Sequence, residues 1–347
     1  MAKARTVLVV LVAGIGDWVM ATPAIRSIRR GFRDARIVLL TTPESADLAR
    51  PCPHLDEVLT FDLRTYRPEE RGSGLPGLHA LVTLAAELRA RRFDLAINLY
   101  RIATLGGAVR MGILLALLRA KQNAGRWSHG LGAYFAIRGP DVSHQVDAMA
   151  ALASALGCPP DTDPPELWVP EANRRGAATL LPPSGDPFLI FNAGSNRPSA
   201  CLPGGRAMEI GRELRSALGL PILWTGGGGE REKIAAMCEG VGSGCRNLAG
   251  RTGLLELAAI LGSASAVVST DTGPMHMAAA MGAPLVALFG PASPIHSGPR
   301  GRGRIVVLQG QARPRDPLRW HQDISSADVV RGVCEVLSCD TQRAGRG

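Results

Sequence analysis

Short runs of Val, Ile and Leu alternate with helical patterns along this chain of 347 residues. Continuous apolar runs of four to eight residues are typical of parallel strands that are covered by helices on both faces. In the first half, the pattern predicts four strands, with the sequences TVLVVLV, RIVLLT, EVLTF and DLAINL. A helix over 23–32 is predicted after the first of these strands, with Pro23 at its start.

A second series of apolar runs begins near residue 187 and predicts five more strands: PFLIFNAG, PILWTG, AVVST, PLVALFG and RIVVLQ. The predicted helices between them cover 206–218, 230–239, 254–262 and 274–281. Two series of alternating strands and helices predict an α/β protein with two Rossmann-like doubly wound domains.

A proline-rich segment, GCPPDTDPPELWVPEANRRG, lies between the two series. Prolines at this density oppose regular structure, so we expect a linker here and place the domain boundary between Pro170 and Pro187. The predicted domains are 1–175 and 185–322. A last helix over 323–338, capped by Ser325 or Ser326, is expected to pack back on the first domain.

Composition is that of an ordinary globular protein, with 46% hydrophobic and 20% charged residues. The longest apolar stretch outside the strands, MGILLALL, is too short to span a membrane. The N-terminal apolar run passes directly into a glycine turn, so we interpret it as a strand and not as a signal peptide. The seven cysteines are scattered without a Cys-x-x-Cys pair, which favours reduced thiols in a cytoplasm over disulfides or a zinc site.

The formal net charge of +9 comes almost entirely from arginine. Such an excess indicates an anionic partner, which would be a nucleotide, a phosphorylated glycan or an acidic membrane surface. A genome that favours arginine codons is the alternative explanation. Nucleic acid is not an expected partner.

The segment SASAVVSTDTGPMHMAAAMG carries the strongest functional pattern. A buried strand delivers Asp271 and Thr272 to its carboxyl end, and Gly273 and Pro274 then open a helix. The amides at such a helix start point at an anion, as a pyrophosphate site requires. His276 is expected to add a donor for a leaving phosphate. The alternative is that Asp271 and Thr272 only cap the helix.

The opening segment VLVVLVAGIGDWVMATPAIRSIRR begins like a dinucleotide-binding loop. A third small residue is missing, because Val19 stands there, and no acidic residue ends the second predicted strand. What remains is a glycine turn that exposes Asp17. This carboxylate would serve either as a helix cap or as a general base that takes a proton from an incoming hydroxyl.

Two loops after other predicted strands add polar groups. Ser195 and Asn196 follow PFLIFNAG and offer hydroxyl, amide and backbone groups to phosphate oxygens. Glu230 follows four glycines and would either accept a hydrogen bond from a ribose hydroxyl or cap a helix. Thr252, just before the predicted helix over 254–262, is added to this donor-binding set.

In combination, these motifs resemble glycosyltransferase family nine, the heptosyltransferase-like family. The resemblance extends from GIGDWVMATPAIRSIRR through DLAINLYR and HQVDAMAALASALG to STDTGPMHMAAAMGAPLVALFGPASP. It implies the GT-B fold, in which two Rossmann-like domains face a central crevice. It further implies that Asp17 is the catalytic base, and that the segment with Asp271, Thr272, Gly273 and His276 binds the pyrophosphate of the donor. The family's usual donor is ADP-heptose, and its usual acceptor is the anionic inner core of lipopolysaccharide.

The sequence departs from the family at one position. Family members usually carry Lys-x-Trp-Pro after the Gly/Ser loop, with the lysine at the donor phosphate, whereas this chain has Ala200-Cys201-Leu202-Pro203. Arg197 is the first candidate to supply the missing positive charge, and Arg206 the second. Arginine presents a planar fork where lysine presents a point charge, so the geometry would differ.

The resulting hypothesis is an inverting, metal-independent glycosyltransferase that uses a nucleotide sugar, ADP-linked, as co-substrate and needs no other cofactor. The acceptor is expected to be an anionic glycan or glycolipid, held by Gly16, Thr22, Arg64, Arg67 and Arg101. Six cations flank apolar segments that would suit a membrane surface: Arg101, Arg110, Arg119, Lys121, Arg126 and Arg138. We therefore expect a cytoplasmic protein, with peripheral contact to the inner membrane as an open question.

Three alternatives stay open at this point. The first is a transferase whose acceptor is a soluble natural product, which would make divergence at the lysine position easier to understand. A nicotinamide-dependent oxidoreductase would share the opening strand and glycine turn. A non-catalytic nucleotide-binding relative would keep the pyrophosphate site without turnover.

Overall fold

The computed structural model describes residues 4–62, 75–102, 104–126, 135–140, 142–183, 185–311 and 317–337. The chain divides into two compact units, Met1–Asp163 and Pro164–Gly347. No helix in the described ranges is both long enough and apolar enough to cross a membrane.

The first unit contains one parallel sheet of six strands in the order β3-β2-β1-β4-β5-β6. Its strands are β1 (Thr6–Leu11), β2 (Arg36–Thr41), β3 (Glu57–Thr60), β4 (Leu95–Asn98), β5 (Gln122–Arg126) and β6 (Ile137–Gly139). Its helices are α1 (Ile15–Gly31), α2 (Pro43–Ala49), α3 (Leu75–Ala90), α4 (Leu105–Leu118) and α5 (Gln145–Ala155).

The second unit contains a second parallel sheet of six strands, in the order β12-β11-β10-β7-β8-β9. Its strands are β7 (Leu189–Asn192), β8 (Ile222–Trp224), β9 (Cys245–Asn247), β10 (Ala266–Thr270), β11 (Leu285–Phe289) and β12 (Ile305–Gln309). Its helices are α6 (Glu171–Ala178), α7 (Gly204–Leu218), α8 (Arg231–Val241), α9 (Leu254–Ser263), α10 (Gly273–Ala280), α11 (Pro294–Ser297) and α12 (Ser326–Leu337). Counted within each unit, both sheets have the doubly wound order 3-2-1-4-5-6.

The apolar runs predicted as strands include the central strands β1, β4, β7 and β10, and also the edge strands β3 and β12. β4, β7, β10 and β11 are buried along their whole length, as expected where helices cover both faces of a parallel sheet. In the second unit, Phe191 on β7 stacks on Trp224 of the neighbouring β8, with ring centroids 4.5 Å apart. The prediction of an α/β protein with two doubly wound domains is confirmed.

Helix α1 begins at Ile15, eight residues before the predicted start, so Pro23 lies inside the helix. A proline there removes the N–H that would bond to the carbonyl of Val19. The Thr22 hydroxyl donates to that carbonyl instead, with Oγ1 2.9 Å from the oxygen. The prediction from Pro23 was wrong because this side chain satisfies the group that the proline leaves open.

The boundary between the units also differs from the prediction. The units divide at Asp163 and Pro164, and the end of the proline-rich segment forms α6, which packs on α9 of the second unit. The Asn173 amide donates to the carboxylate of Glu256 on α9. Pro170 precedes the first residue of α6, where proline is tolerated, so the predicted linker is partly helical.

The last helix, α12, belongs to the core of the second unit. Its apolar face carries Val329, Val333 and Val336, which share a core with residues of β7, β10 and β11. The predicted packing of this helix on the first domain is therefore wrong. An apolar stripe shows that a helix is covered but not by which surface, which is why the sequence did not identify the correct partner.

Three short strands were missed: β5 (QNAGR), β6 (IRG) and β9 (CRN). All three lie toward one edge of their sheet and have few apolar residues. Their hydrogen bonds to a neighbouring strand hold them in place, and a single sequence carries little signal for that pairing.

Candidate active site

Each sheet has one topological switch point, where the strand order reverses. In the first unit it lies between β1 and β4, and in the second between β7 and β10. In open α/β sheets, ligands bind outside the carboxyl ends of the strands at this point. Residues singled out from the sequence follow all four of these strands, so we describe the two switch points in turn.

Asp17 lies at the switch point of the first unit, in the first turn of α1 directly after β1. The side chain is half-buried, and its Oδ2 accepts a hydrogen bond from the Gly14 backbone N–H at 3.2 Å. The capping role considered from the sequence is therefore present, and it engages one oxygen of the carboxylate. A cap of this kind also fixes the position of the carboxylate at the strand end.

Tyr100 is a residue that sequence reasoning missed at this switch point. It follows β4, and its carbonyl accepts from the buried Asn98 side-chain amide at 2.8 Å. Burial and the negative charge of nearby Asp17 raise the pKa of the phenol above its usual range. A raised pKa keeps the phenol protonated, so Tyr100 can donate a hydrogen bond to a ligand at this switch point. Its position, directly after the predicted strand DLAINL, was the available signal.

The predicted acceptor-binding residues have different outcomes. Gly16 and Arg101 are half-buried and lie next to Asp17 and Tyr100 in the chain. Thr22 is fully buried and supports the helix carbonyl of Val19, so its predicted contact with an acceptor is wrong. Arg64 and Arg67 lie outside the described residues.

Helix α10 begins at the switch point of the second unit, after β10. Thr272 is its N-cap residue but makes no side-chain capping bond, and Pro274 occupies the first turn. The N–H groups of Thr272 and Gly273 precede the helical hydrogen bonds, so they are oriented toward a ligand site. Met275 N–H donates to the Thr272 carbonyl at 3.1 Å. The sequence had suggested amides from Thr272 to Met275, and the structure limits them to the first two.

Asp271 and Arg197 form an ion pair at this helix start. Arg197 Nη2 lies 2.6 Å from Asp271 Oδ2 and 3.2 Å from the backbone oxygen of the same residue. Burial raises the pKa of the Asp271 carboxyl, and the Arg197 guanidinium opposes that rise. The Arg197 side chain remains 57% exposed. It is therefore anchored at one end by a buried carboxylate and still accessible to an anion.

The loop after β7 is held in place by hydrogen bonds from the ends of β7 and β10. The Gly194 carbonyl accepts from Thr270 Oγ1 at 2.8 Å and from the Asn192 amide at 3.3 Å. Ser195 Oγ accepts from the Arg197 backbone N–H at 3.2 Å, while Asn196 is exposed. These bonds, with the contacts of Arg197 to Asp271, place the loop of Ser195, Asn196 and Arg197 beside the start of α10.

The residue at the position of the usual family lysine is the small, buried Ala200. Ala200 is buried in a short turn of 3₁₀ helix, and its N–H donates to the Arg197 carbonyl at 2.9 Å. Arg206, the second candidate for the missing charge, donates to the Ile324 carbonyl at 2.5 Å and pairs with Glu209 at 2.6 Å. Those contacts join α7 to the segment before α12. Arg197 is thus the cation that the structure brings to Asp271.

Glu230 lies against the glycine loops that follow β7 and β8. Its Oε2 accepts from the Gly227 N–H at 2.9 Å, and a Cβ on Gly194 would collide with its carboxylate. A side chain at Gly194 would therefore displace the Glu230 carboxylate from its present position. Thr252 is half-buried in the loop before α9. In that loop, the Gly250 N–H donates to the Gly226 carbonyl at 3.1 Å, which links it to the loop that carries Glu230.

His276 is mostly buried one turn into α10, with 5% of its surface exposed. The sequence predicted a side chain open to a leaving phosphate, and burial leaves only a small accessible part. The described residues contain no group of three or more His, Cys, Asp or Glu side chains arranged for a metal ion.

Trp320 is a second residue that sequence reasoning missed. Its side chain is fully buried, and its indole N–H donates to the Ser199 carbonyl at 3.0 Å. A Cβ at Gly290 would collide with the indole ring. The ring thus supports the loop of Ser195 to Cys201 from the side of the core, although it lies more than 100 residues away in sequence.

Comparison with known protein families matches residues 81–319 to glycosyltransferase family 9 (heptosyltransferase). This range is more than half of the 347-residue chain and contains Tyr100, Arg197, Glu230 and the whole STDTGPMH segment. The chain belongs to glycosyltransferase family 9. It is therefore a glycosyltransferase, and the resemblance seen in its motifs is confirmed at the level of the family.

Relatives of this glycosyltransferase family support the assignment. The lipopolysaccharide core heptosyltransferase OpsX of Haemophilus influenzae is 22% identical over 275 residues, which cover 77% of this chain and 74% of that protein. The fold matches the ADP-heptose lipopolysaccharide heptosyltransferase II of E. coli, with a TM-score of 0.77, 20% identity and coverage of 97% and 99%. It also matches a family 9 glycosyltransferase of Veillonella parvula, with a TM-score of 0.80, 21% identity and coverage of 96% and 97%. The expected GT-B fold class is confirmed.

Proposed function

We propose that this family 9 enzyme is an inverting, metal-independent transferase that moves a heptose from ADP-heptose to a hydroxyl of a lipopolysaccharide core acceptor. The relatives named above carry that donor or that acceptor in their names. The observation that supports the proposal best is the contrast in charge between the two switch points. One presents a carboxylate at a strand end, and the other presents an arginine and a helix N-terminus.

The second switch point suits the pyrophosphate of a nucleotide sugar. The Thr272 and Gly273 amides, the α10 dipole and the Arg197 guanidinium all favour negative charge. Ser195 and Asn196 add short polar groups beside them. In the transition state, charge grows on the leaving diphosphate, and these fixed donors stabilise it where it develops. His276 is proposed to donate through the small exposed part of its imidazole.

Glu230 and Thr252 are proposed to contact the nucleoside. A carboxylate accepts hydrogen bonds from both hydroxyls of a ribose, and the Gly194 and Gly226 backbones approach Glu230 closely. One Glu230 oxygen already accepts from Gly227, so the cap fixes the orientation of the group. The positive charge that other family members take from a lysine is supplied here by Arg197.

The first switch point suits activation of the acceptor. Asp17 takes the proton of an acceptor hydroxyl, the oxygen attacks the anomeric carbon of the heptose, and the bond to the diphosphate oxygen breaks. ADP leaves with the electron pair of that bond, and the single in-line displacement inverts the anomeric centre. Tyr100, Gly16 and Arg101 are proposed to position the acceptor beside Asp17. The family match begins after Asp17, so this role rests on the residue's own placement.

A panel of nucleotide sugars tests the proposal. Purified protein is incubated with ADP-, UDP- and GDP-linked sugars and with a lipopolysaccharide core acceptor or a soluble aminoglycoside, and the products are detected by mass spectrometry. We expect transfer of heptose from ADP-heptose to the core acceptor, undiminished by EDTA and with the opposite anomeric configuration by NMR. Transfer of another sugar, or transfer only to the soluble acceptor, would overturn the donor or acceptor assignment. A retained configuration would overturn the proposed displacement.

A further inference from the structure

The outer face of α4 is apolar, which is unusual for a helix on the surface of a sheet. Leu105, Val109 and Ile113 are 72%, 54% and 37% exposed and recur at a spacing of four residues. Residues at this spacing lie on one face of a helix. The opposite face, with Ala108, Leu114 and Leu118, is packed in the core of the first unit. We call the three exposed side chains the α4 stripe.

Comparison with α7 shows how far this departs from an ordinary surface helix. The exposed positions of α7 include Glu209, Arg212 and Glu213, so its outer face is charged. The outer face of α4 has one charged side chain, Arg110. Scattered apolar residues are normal at a protein surface, but a continuous row is typical of a binding surface.

The charges along this part of the sequence have one sign. Between Asp94 and Asp141 the sequence has no Asp or Glu, but it has six Lys and Arg residues. Arg110 is exposed on α4 itself, and Arg119 is exposed at its C-terminal end. Long cationic side chains beside an apolar row can extend to phosphate groups while the row enters an apolar layer. A second copy of this chain would bring the same cations together across a twofold interface, which is unfavourable.

We infer that the α4 stripe docks the enzyme on an anionic phospholipid bilayer. With 14 residues, α4 is about 21 Å long and lies parallel to the surface with its stripe facing the lipid. The stripe enters the boundary between headgroups and acyl chains, and Arg110 and Arg119 pair with lipid phosphates. The helix starts five residues after Tyr100, so docking places the first switch point next to the membrane surface.

This inference does not rest on the proposed donor or acceptor, and its test uses neither. Purified full-length protein is mixed with vesicles of phosphatidylcholine, or of phosphatidylcholine with phosphatidylglycerol, and the bound fraction is measured by flotation. We expect binding to the anionic vesicles, weaker binding to the neutral ones, and a loss of binding between about 0.1 M and about 1 M salt. Absence of binding to the anionic vesicles would overturn the inference.

Variants distinguish binding through the α4 stripe from non-specific adsorption of the protein to lipid. The triple variant Leu105→Gln, Val109→Gln, Ile113→Gln should lower the partition coefficient at least about tenfold, because it removes the apolar contact. Arg110→Gln should lower it about fivefold, the share of one basic residue near an anionic surface. Ile295→Gln is the matched control, since Ile295 is 70% exposed in the second unit and should leave binding unchanged.

Two further outcomes would also count against the stripe. Equal binding by the wild type and the triple variant would show that another surface contacts the lipid. A second outcome is that the wild type does not bind vesicles and sediments as a dimer, whereas the triple variant sediments as a monomer. That result would identify a second copy of this chain as the partner. Thermal unfolding of the triple variant confirms that any loss of binding does not come from a loss of fold, because the three side chains point away from the core.

Discussion

The two switch points of this enzyme have the same topology and opposite chemistry. Each follows the first and fourth strands of a 3-2-1-4-5-6 sheet, and each carries an aspartate after one of those strands. Asp17 is half-buried, accepts a hydrogen bond from the Gly14 backbone amide and lies near enough to Tyr100 to raise the pKa of that phenol. Asp271 is buried and paired with Arg197. Under the proposed function, the same residue type accepts a proton in one unit and anchors a cation in the other.

The comparison shows how one architecture can serve two substrates. We propose that the Asp17 carboxylate takes a proton from a hydroxyl, whereas the Asp271 carboxylate accepts from the Arg197 guanidinium, which also contacts the backbone oxygen of Asp271. The glycine-containing loops of the two units also differ in the side chain that they hold or admit. Gly14 holds Asp17 in place, while Gly194 allows Glu230 to approach the loop that carries Ser195.

The largest effect is expected at Asp17. Asp17→Asn preserves the size of the side chain and the hydrogen bond from the Gly14 N–H but cannot take a proton at neutral pH. We expect the rate of transfer at saturating donor and acceptor to fall by about 10² to 10⁴-fold. Steady-state kinetics measure this loss, and a rate within a factor of three of the wild type would remove Asp17 from the role of base.

The second effect concerns Arg197. Arg197→Ala removes the exposed cation and leaves the Asp271 carboxylate buried without its partner. The dissociation constant for ADP should increase roughly 10- to 100-fold, the usual effect of losing a charged hydrogen bond. Arg197→Lys, which keeps the charge, should recover part of the affinity. If both variants bind ADP as the wild type does, the missing family lysine has no replacement at this position.

A smaller effect is expected at Gly194. A methyl group on Gly194 would collide with the Glu230 carboxylate and displace it from the loop. Gly194→Ala should weaken ADP binding roughly five- to tenfold, within the range for overpacking at a tight contact. Gly205→Ala is the control, because a Cβ at Gly205 meets nothing within 4 Å. Equal affinities for these two variants would show that the close approach of Glu230 is unimportant for the nucleotide.

The smallest effect on transfer is expected at Asp94, at the opposite edge of the first sheet. Asp94 accepts from the Arg5 and Thr6 backbone N–H groups and pairs with Lys121 at 2.6 Å. These contacts lower the pKa of Asp94 to about 2 from its usual 3.8, so its stabilising contribution is complete above pH 3.8 and is lost as the pH falls through about 2.

Asp94→Asn should therefore leave transfer unchanged and lower the free energy of unfolding by about 1 kcal/mol at pH 7, after allowance for solvent screening. Urea unfolding at pH 7 and at lower pH measures the difference, which should narrow as the pH falls below 4. A loss of transfer in this variant at pH 7 would show that residues at the amino ends of the strands also take part in function.

Much of the architecture was accessible from the sequence, because buried parallel strands have long apolar runs. The same patterns placed Asp17, Ser195 and Asp271 at strand ends. What the sequence did not show depends on contacts between distant residues. Thr22 was wrongly assigned to the acceptor because the sequence predicted that the helix begins at Pro23. The structure shows that α1 continues through the proline, and the Thr22 hydroxyl therefore bonds to the Val19 carbonyl that Pro23 leaves without its helical donor.

Tyr100 and Trp320 were missed for a related reason. Each acts through a partner far away in the sequence: Asp17 for Tyr100, and the Ser199 carbonyl for Trp320. The choice between Arg197 and Arg206 likewise depended on which arginine contacts Asp271 at the start of α10. Arg206 proved to be tied to Ile324 and Glu209. Residue type and spacing identify candidates, but tertiary contacts decide between them.

The division of labour between the two switch points is tested most directly by calorimetric titration of ADP into Asp17→Asn and Arg197→Ala. The account predicts that Asp17→Asn binds ADP with the affinity of the wild type although its transfer is lost, whereas Arg197→Ala binds ADP at least about tenfold more weakly. If Asp17→Asn weakens ADP binding as much as Arg197→Ala does, or if Arg197→Ala binds as tightly as the wild type, the two switch points do not divide acceptor activation from donor binding.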